Sequence, residues 1–322
     1  MDILINGLVL ICGLLILVLS ADWLIQSSVK LSILFRLAPL FIGLVVVAFG
    51  TSAPEAGVGI VAAIKGIKQI ALGNIIGSNI ANIGLILGFC AIVFPLQVRD
   101  KYIFKRELPI MIFSVLLLYG LSLDLVIGRL DGLIFIVCLL IFCVVSYRGA
   151  KKSFDEKEIK DFHFRKTFAK INYRPVIFLL ALISLVGIVV GADLMVKGGV
   201  GLAKIFGISP WIIGITIFAV GTSLPELVAS LTASFKKVPS ISVGNIVGSN
   251  IFNILFVLGV VSLIRPINIE PSVLRFEYPV LFIFSLILFT VMKTKYKISR
   301  WEGLFMFLGY LLFIAVLIIK RI

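Results

Sequence analysis

The segment GNIIGSNIANI, Gly73 to Ile83, returns almost unchanged as GNIVGSNIFNI, Gly244 to Ile254, an offset of 171 residues. The same offset carries GTSAPE at 50–55 onto GTSLPE at 221–226, without a gap between the two motifs. It also pairs Asp22 with Asp193, Pro39 with Pro210, Arg129 with Arg300, and Asp131-Gly132 with Glu302-Gly303. A correspondence that runs over nearly the whole chain identifies a duplicated structural unit.

Outward from these motifs the chain is apolar. Of its 322 residues 61% are hydrophobic and only 14% are charged, which excludes a soluble globular enzyme. The apolar residues gather in blocks near the length of a bilayer span, about 20 residues. Ten such segments are centred on 4–26, 38–64, 70–95, 107–123, 130–147, 175–198, 209–235, 241–264, 276–293 and 301–319. One hydrophilic stretch, Arg148 to Arg174 with the run KKSFDEKEIKDFHFRK, reads as a solvated linker. It separates a first unit, 1–147, from a second, 175–322. Five spans per unit is an odd number, so the second copy enters the membrane from the opposite side. The expected fold is an all-α integral membrane protein of ten transmembrane helices, arranged as two inverted five-helix repeats.

The net charge of +14 does not point to nucleic acid, because the Lys and Arg lie in short runs between spans. Loops after odd-numbered spans carry 21 of the 30, which places that side in the cytoplasm. The expectation is a multi-pass protein of the cell membrane, with the lipid bilayer as its surroundings, both termini extracellular and the linker cytoplasmic. The first apolar block has no basic leader and no small-residue cleavage site, and is read as a mature span. Cys12, Cys90, Cys138 and Cys143 all sit in apolar stretches without C-x-x-C spacing and are read as small core residues.

Chemistry concentrates where the apolar pattern breaks. Pro54 has no N–H and its ring clashes with the Gly50 carbonyl, so the second span should be interrupted over residues 50–54, releasing backbone carbonyls. Glu55 and Glu226 follow the two breaks with no Lys or Arg in the cores of their own spans; a carboxylate at bilayer depth needs a cavity, a partner or an ion. On a helix Ser78 and Asn82 share a face, and Gly73, Gly77 and Gly84 permit close helix approach. The facing set is therefore Glu55, Ser78 and Asn82 with Glu226, Ser249 and Asn253. Its oxygen donors suit hard cations, and its formal charge of −2 is neutralised by one Ca²⁺ or by two monovalent ions. Small inorganic cations are the expected partners, with no resident cofactor.

Other chemistries lack their residues. His163, the one histidine, lies in the charged linker, so neither Ser52 nor Ser223 has a base for hydrolysis, and there is no H-E-x-x-H. No G-x-x-x-x-G-K-[ST] supports nucleotide-driven pumping. Asp155, Glu156, Glu158 and Asp161 lack the ligand alternation of an EF-hand loop. Asp22 and Asp193, near span ends, are expected to meet headgroups, water or a backbone N–H, outside the site.

GTSxPE followed by GNxxGSNxxN, present twice, resembles the paired alpha-repeats of the cation/calcium exchanger superfamily, and is most similar to prokaryotic sodium/calcium exchangers. The resemblance implies Ca²⁺/Na⁺ antiport by alternating access with no enzymatic step. It implies a calcium position built from the carboxylates of Glu55 and Glu226 and the carbonyls of Thr51 and Thr222. It further implies sodium positions at the Ala48 carbonyl with Ser78 and at the Ala219 carbonyl with Ser249, with Asn82 lining the middle. The chain departs from the pattern at Asn253, where an aspartate can stand. Proton-coupled antiport within the same superfamily, and a passive cation channel, are the competing readings.

Overall fold

The computed structural model describes residues 2–65, 68–98, 100, 102–155, 159–160, 162–206, 221–293 and 297–321. The chain is built almost wholly of helices: α1 (Asp2–Phe35), α2 (Pro39–Thr51), α3 (Ala53–Lys65), α4 (Leu72–Val93), α5 (Leu108–Leu121), α6 (Arg129–Lys152), α7 (Arg174–Ile205), α8 (Leu224–Phe235), α9 (Pro239–Ile264), α10 (Pro271–Lys293) and α11 (Arg300–Arg321). Seven of these are long and apolar enough to cross a membrane, or eight if α2 and α3 count as one bent span, among the described residues. This is a helical membrane protein. Every expected apolar segment coincides with helix, except that the first part of 209–235 lies outside the described residues.

Position in the bundle follows from how polar each helix is. In α4 and α9, which carry the repeated motif, 78% and 83% of the most apolar window is buried, against 11% in α1. The motif helices therefore form the centre, while α1 turns Leu8, Leu15 and Leu19 outward toward lipid. Within lipid there is no apolar driving force between helices, so close backbone contact supplies the adhesion. Glycines provide it between α1 and α7: a Cβ at Gly13 would stand 2.5 Å from the Met195 nitrogen, and one at Gly191 would stand 2.6 Å from the Leu17 nitrogen.

Two short antiparallel ribbons tie the ends of the bundle. Strand β1 (Leu96–Gln97) pairs with β4 (Lys297–Ile298), and β2 (Val126–Ile127) pairs with β3 (Ile267–Asn268). Leu96 faces Ile298 in one ribbon and Ile267 faces Ile127 in the other, so the sequence offset maps each ribbon onto its counterpart. The repeat is thus visible in the backbone as well as in the motifs.

The linker differs from the solvated stretch expected of it. Ile159, Phe162 and Phe168 are buried, and Phe154 and Phe164 pack against the same apolar cluster as α1. Its charges flank aromatic residues that cover the end of the bundle, a pattern in which composition hides the packing. Asp22 is also corrected: it is 9% exposed and pairs with Arg165 at 3.0 Å and Lys236 at 2.5 Å. Asp193, its repeat counterpart, stays at the surface in a local pair with Lys197 at 2.6 Å. Glu156, Glu158 and Asp161 of the acidic run lie outside the described residues.

Candidate cation site

The interruption expected from Pro54 is present. Helices α2 and α3 meet at Ser52 with a bend of 43°, and Glu55 stands in the first turn of α3. The second copy breaks in the same place: Thr222 and Ser223 form a turn, Pro225 sits at the start of α8, and Glu226 follows it. A helix start suits a carboxylate, because the unpaired N–H groups and the dipole both favour negative charge there. A second local device recurs in both halves. Helix α4 relaxes into a π-helical turn over Asn82–Leu87, and α9 does so over Asn253–Leu258. Such turns break the hydrogen-bond ladder and re-aim side chains at functional positions.

Glu55 and Glu226 are buried, at 1% and 0% exposure, and close enough to repel one another electrostatically. The Oε1 of Glu226 accepts hydrogen bonds from Ser52 at 3.0 Å and from Ser249 at 3.4 Å. Glu55 is hydrogen-bonded by Ser78, the repeat-related contact. In both carboxylates Oε2 has no hydrogen-bond partner among the described residues. Two buried carboxylates, each with an uncommitted oxygen, leave negative charge for a cation to neutralise.

The same motif helices carry a ring of four asparagines whose orientation is fixed by logic as well as distance. The Nδ2 of Asn79 donates to the Asn250 carbonyl and the Nδ2 of Asn250 to the Asn79 carbonyl, both at 3.2 Å. A backbone carbonyl only accepts, so each of these amides must turn its Oδ1 the other way. Those oxygens accept from Asn253 Nδ2 at 3.0 Å and from Asn82 Nδ2 at 2.9 Å. One N–H of Asn82 and one of Asn253 are therefore committed to the ring, and their buried Oδ1 atoms have no partner among the described residues. The ring thus makes oxygen, not nitrogen, the free atom of both residues, as a cation requires.

The surrounding contacts distinguish the halves. The Thr51 hydroxyl donates to Asn245 Oδ1 at 3.1 Å, and Asn245 Nδ2 reaches Ser230 at 3.0 Å and the Glu226 carbonyl at 3.4 Å. In the other half Gly59 stands where the repeat has Ser230, and neither the Thr222 hydroxyl nor the Asn74 Nδ2 has a hydrogen-bond partner among the described residues. Ala48 is buried, with its carbonyl accepting from the Ser52 N–H at 3.0 Å. Gly244 and Gly248 let α9 press on α2, where a Cβ would meet the Leu40 and Leu44 carbonyls at 2.5 and 2.1 Å. At Gly73 and Gly77 a Cβ would meet nothing within 4 Å, whereas Gly84 packs against Phe284 and Tyr310. Residues 211–215, the repeat counterparts of Leu40 to Leu44, lie outside the described residues, as does Ala219.

Glu55, Ser78, Glu226 and Ser249 are thus connected by hydrogen bonds or by electrostatic contact, with Thr51 joined through Asn245, while Asn82 and Asn253 belong to a second network closed through Asn79 and Asn250. Ser52, Asn79, Asn245 and Asn250 were not in the set read from the sequence. Their signal was repetition at the same offset, and three of them belong to the GNxxGSN motif itself.

Comparisons with known proteins address the chain as a whole. The family described as sodium/calcium exchanger protein matches the chain twice, over residues 5–148 and 176–319. The chain is 32% identical to the sodium/calcium exchanger MaX1 of Methanosarcina acetivorans, over 97% of this chain and 98% of that one. It is 34% identical to the inner membrane protein YrbG of Escherichia coli, over 96% and 95% of the two chains. Its fold is similar to a solved structure of the sodium-calcium exchanger NCX_Mj soaked with 10 mM Na⁺ and zero Ca²⁺, with a TM-score of 0.84 at 31% identity, covering 97% of this chain and 99% of the other. By its sequence over both halves, the chain belongs to the sodium/calcium exchanger family.

Proposed function

We propose that this protein is a secondary active antiporter that exchanges Ca²⁺ for Na⁺ at one site, opened alternately to the two sides of the cell membrane. The observation that carries the reading is the pair of buried carboxylates, Glu55 and Glu226, each with an oxygen that no group among the described residues satisfies. Their charge of −2 is matched by one Ca²⁺ or by two Na⁺, so unlike cations can replace one another without stranding charge in the membrane. The ligands are the two carboxylates, the carbonyls of Thr51, Thr222, Ala48 and Ala219, the hydroxyls of Ser78 and Ser249, and the amide oxygens of Asn82 and Asn253. Members of this family are transporters, and no enzymatic step is involved.

The architecture in this reading is ten spans in two inverted repeats, units 1–147 and 175–322 joined by a cytoplasmic linker at 148–174, with both termini outside. The ribbons support the inversion. β1 follows the third span of its half and β4 the fourth span of the other, yet they pair, and β2 and β3 repeat the relation. Strands that pair share one face of the membrane, so the two halves run in opposite senses.

Equilibrium ⁴⁵Ca²⁺ binding to the purified protein tests the shared site. Binding should be displaced by Na⁺ and should weaken about 100-fold in Glu55→Gln and in Glu226→Gln, the equivalent of about 2.7 kcal/mol. Calcium binding that ignores Na⁺, or that survives both substitutions, refutes the assignment.

A further inference from the structure

Asp22 gathers three donors from three parts of the chain. Gln26 Nε2 of its own helix donates at 2.8 Å, Arg165 of the linker approaches at 3.0 Å, and Lys236 at the end of α8 at 2.5 Å. The contacts around it hold the linker flat on α1. Gln26 Oε1 accepts from the Arg165 backbone N–H at 2.8 Å, and Trp23 packs edge-on against Phe168 at 5.9 Å. Lys30 and Lys236 lie 5.3 Å and 5.7 Å from the rings of Phe164 and Phe162. The repeat does not dictate this arrangement, since among the described residues Asp193 makes an exposed pair within its own helix.

The helix that Asp22 holds is the one that begins at the site. Glu226 stands in the first turn of α8 and Lys236 follows its last residue, about 15 Å further along. Between them Ser230 and Ser234 follow Glu226 at four-residue spacing. Ser230 accepts from Asn245 of α9 at 3.0 Å, and Ser234 donates to Ser242 of α9 at 3.2 Å. Cys90 of α4 hydrogen-bonds with Ser234 and Ser242 and is fully buried. This seam is packed shut from the site to the linker end. From the opposite end, near β3, a cavity of about 310 Å³ reaches Ser78 past Asn268 and Asn74.

We propose that Asp22 is the positioning residue of a clasp. By holding Lys236 and Arg165 it keeps α8 seated on α9 and α4, closing the linker-side route to Glu226, and the Asp22–Lys236 pair opens when the site turns toward the linker. The last step rests on the alternating-access reading, whereas the seating of α8 does not. A single buried carboxylate shared by two cations is a fitting fastener, since losing it frees both partners at once.

Cys90 is a built-in reporter of the seam. In full-length protein with Cys12, Cys138 and Cys143 replaced by Ala, the rate at which a small methanethiosulfonate reagent modifies Cys90 should rise about tenfold in Asp22→Asn and in Lys236→Met. Asp22→Glu should return most of the protection, and Lys197→Met, which removes the repeat-related pair, should leave the rate at its starting value. Wild-type rates in Lys236→Met and Arg165→Gln, whose side chains are partly exposed and whose folding is the safer, would overturn the clasp even if Asp22→Asn fails to fold. An equal rise in Lys197→Met would overturn it too, by showing general loosening. Absence of calcium transport in the parent protein would refute the transport reading while leaving this labelling comparison intact.

Discussion

At the scale of single residues, the site is a problem of keeping oxygen atoms free in a place where free polar atoms are costly. Glu55 and Glu226 were legible in the sequence because an unpaired carboxylate in an apolar block is conspicuous, and because it occurs twice at one offset. Asn79 and Asn250 were not, since their partners lie in the opposite half, 171 residues away, and no periodicity within one half shows a bond across the two. Their part is nonetheless specific: they take up the amide donors of Asn82 and Asn253. The asparagine at 253 therefore has two consequences that a substitution separates. Asn253→Asp adds a carboxylate to the site but loses the donor to Asn79 Oδ1, setting acceptor against acceptor at 3.0 Å. The expected result is activation of transport at lower Na⁺, together with a loss of about 1–3 kcal/mol of stability in Na⁺-free solution. A sodium activation curve and a thermal unfolding midpoint that both stay at wild-type values would contradict this account.

At the scale of helices, the bend at Ser52 was readable from Pro54 and Gly50, because proline removes a specific hydrogen bond wherever it falls in a helix. The π-helical turns at Asn82 and Asn253 were not readable, since nothing in a single apolar sequence distinguishes a local widening of the ladder from a regular helix. Glycine was legible as a residue of close approach, but which glycines approach what is a property of the packed bundle. Gly248 makes the tightest approach to backbone among the described glycines, with Leu44 O at 2.1 Å and the Ala48 Cβ at 2.7 Å from a Cβ placed there. Gly248→Ala must push α9 off α2 and so move Ser249 away from Glu226. Transport should be lost, with a destabilisation of about 1–3 kcal/mol. Gly57 is a control on α3, two residues from Glu55, where an added Cβ meets nothing within 4 Å. Gly57→Ala should keep transport and match or exceed wild-type stability by up to about 1 kcal/mol. Equal behaviour of the two variants would remove close packing of α2 and α9 from the explanation.

At the scale of the whole molecule, duplication is what made the fold legible. The motifs, the π-helical turns at Asn82 and Asn253 and the two ribbons all obey one offset, so a single comparison of the halves anticipates features from residue to backbone. The departures from that symmetry escaped it. Asp22 is buried in a three-way contact while Asp193 is exposed, and Ser230 is answered by Gly59. The linker has no counterpart at all, and its alternation of charges with phenylalanine read as solvated although Phe162 and Phe168 are buried. These asymmetries are where a symmetric scaffold acquires a direction, with a packed seam toward the linker and a cavity reaching Ser78 from the other end.

The central claim, that one buried dicarboxylate site exchanges calcium for sodium, is tested most directly by ⁴⁵Ca²⁺ uptake into proteoliposomes of the purified protein, loaded with Na⁺, with a pH gradient, or with neither. Uptake should follow the outward Na⁺ gradient alone, and should vanish in Glu226→Gln. Uptake driven by the pH gradient alone would make the protein a proton-coupled antiporter, and calcium entry with neither gradient would make it a channel; either result contradicts sodium exchange.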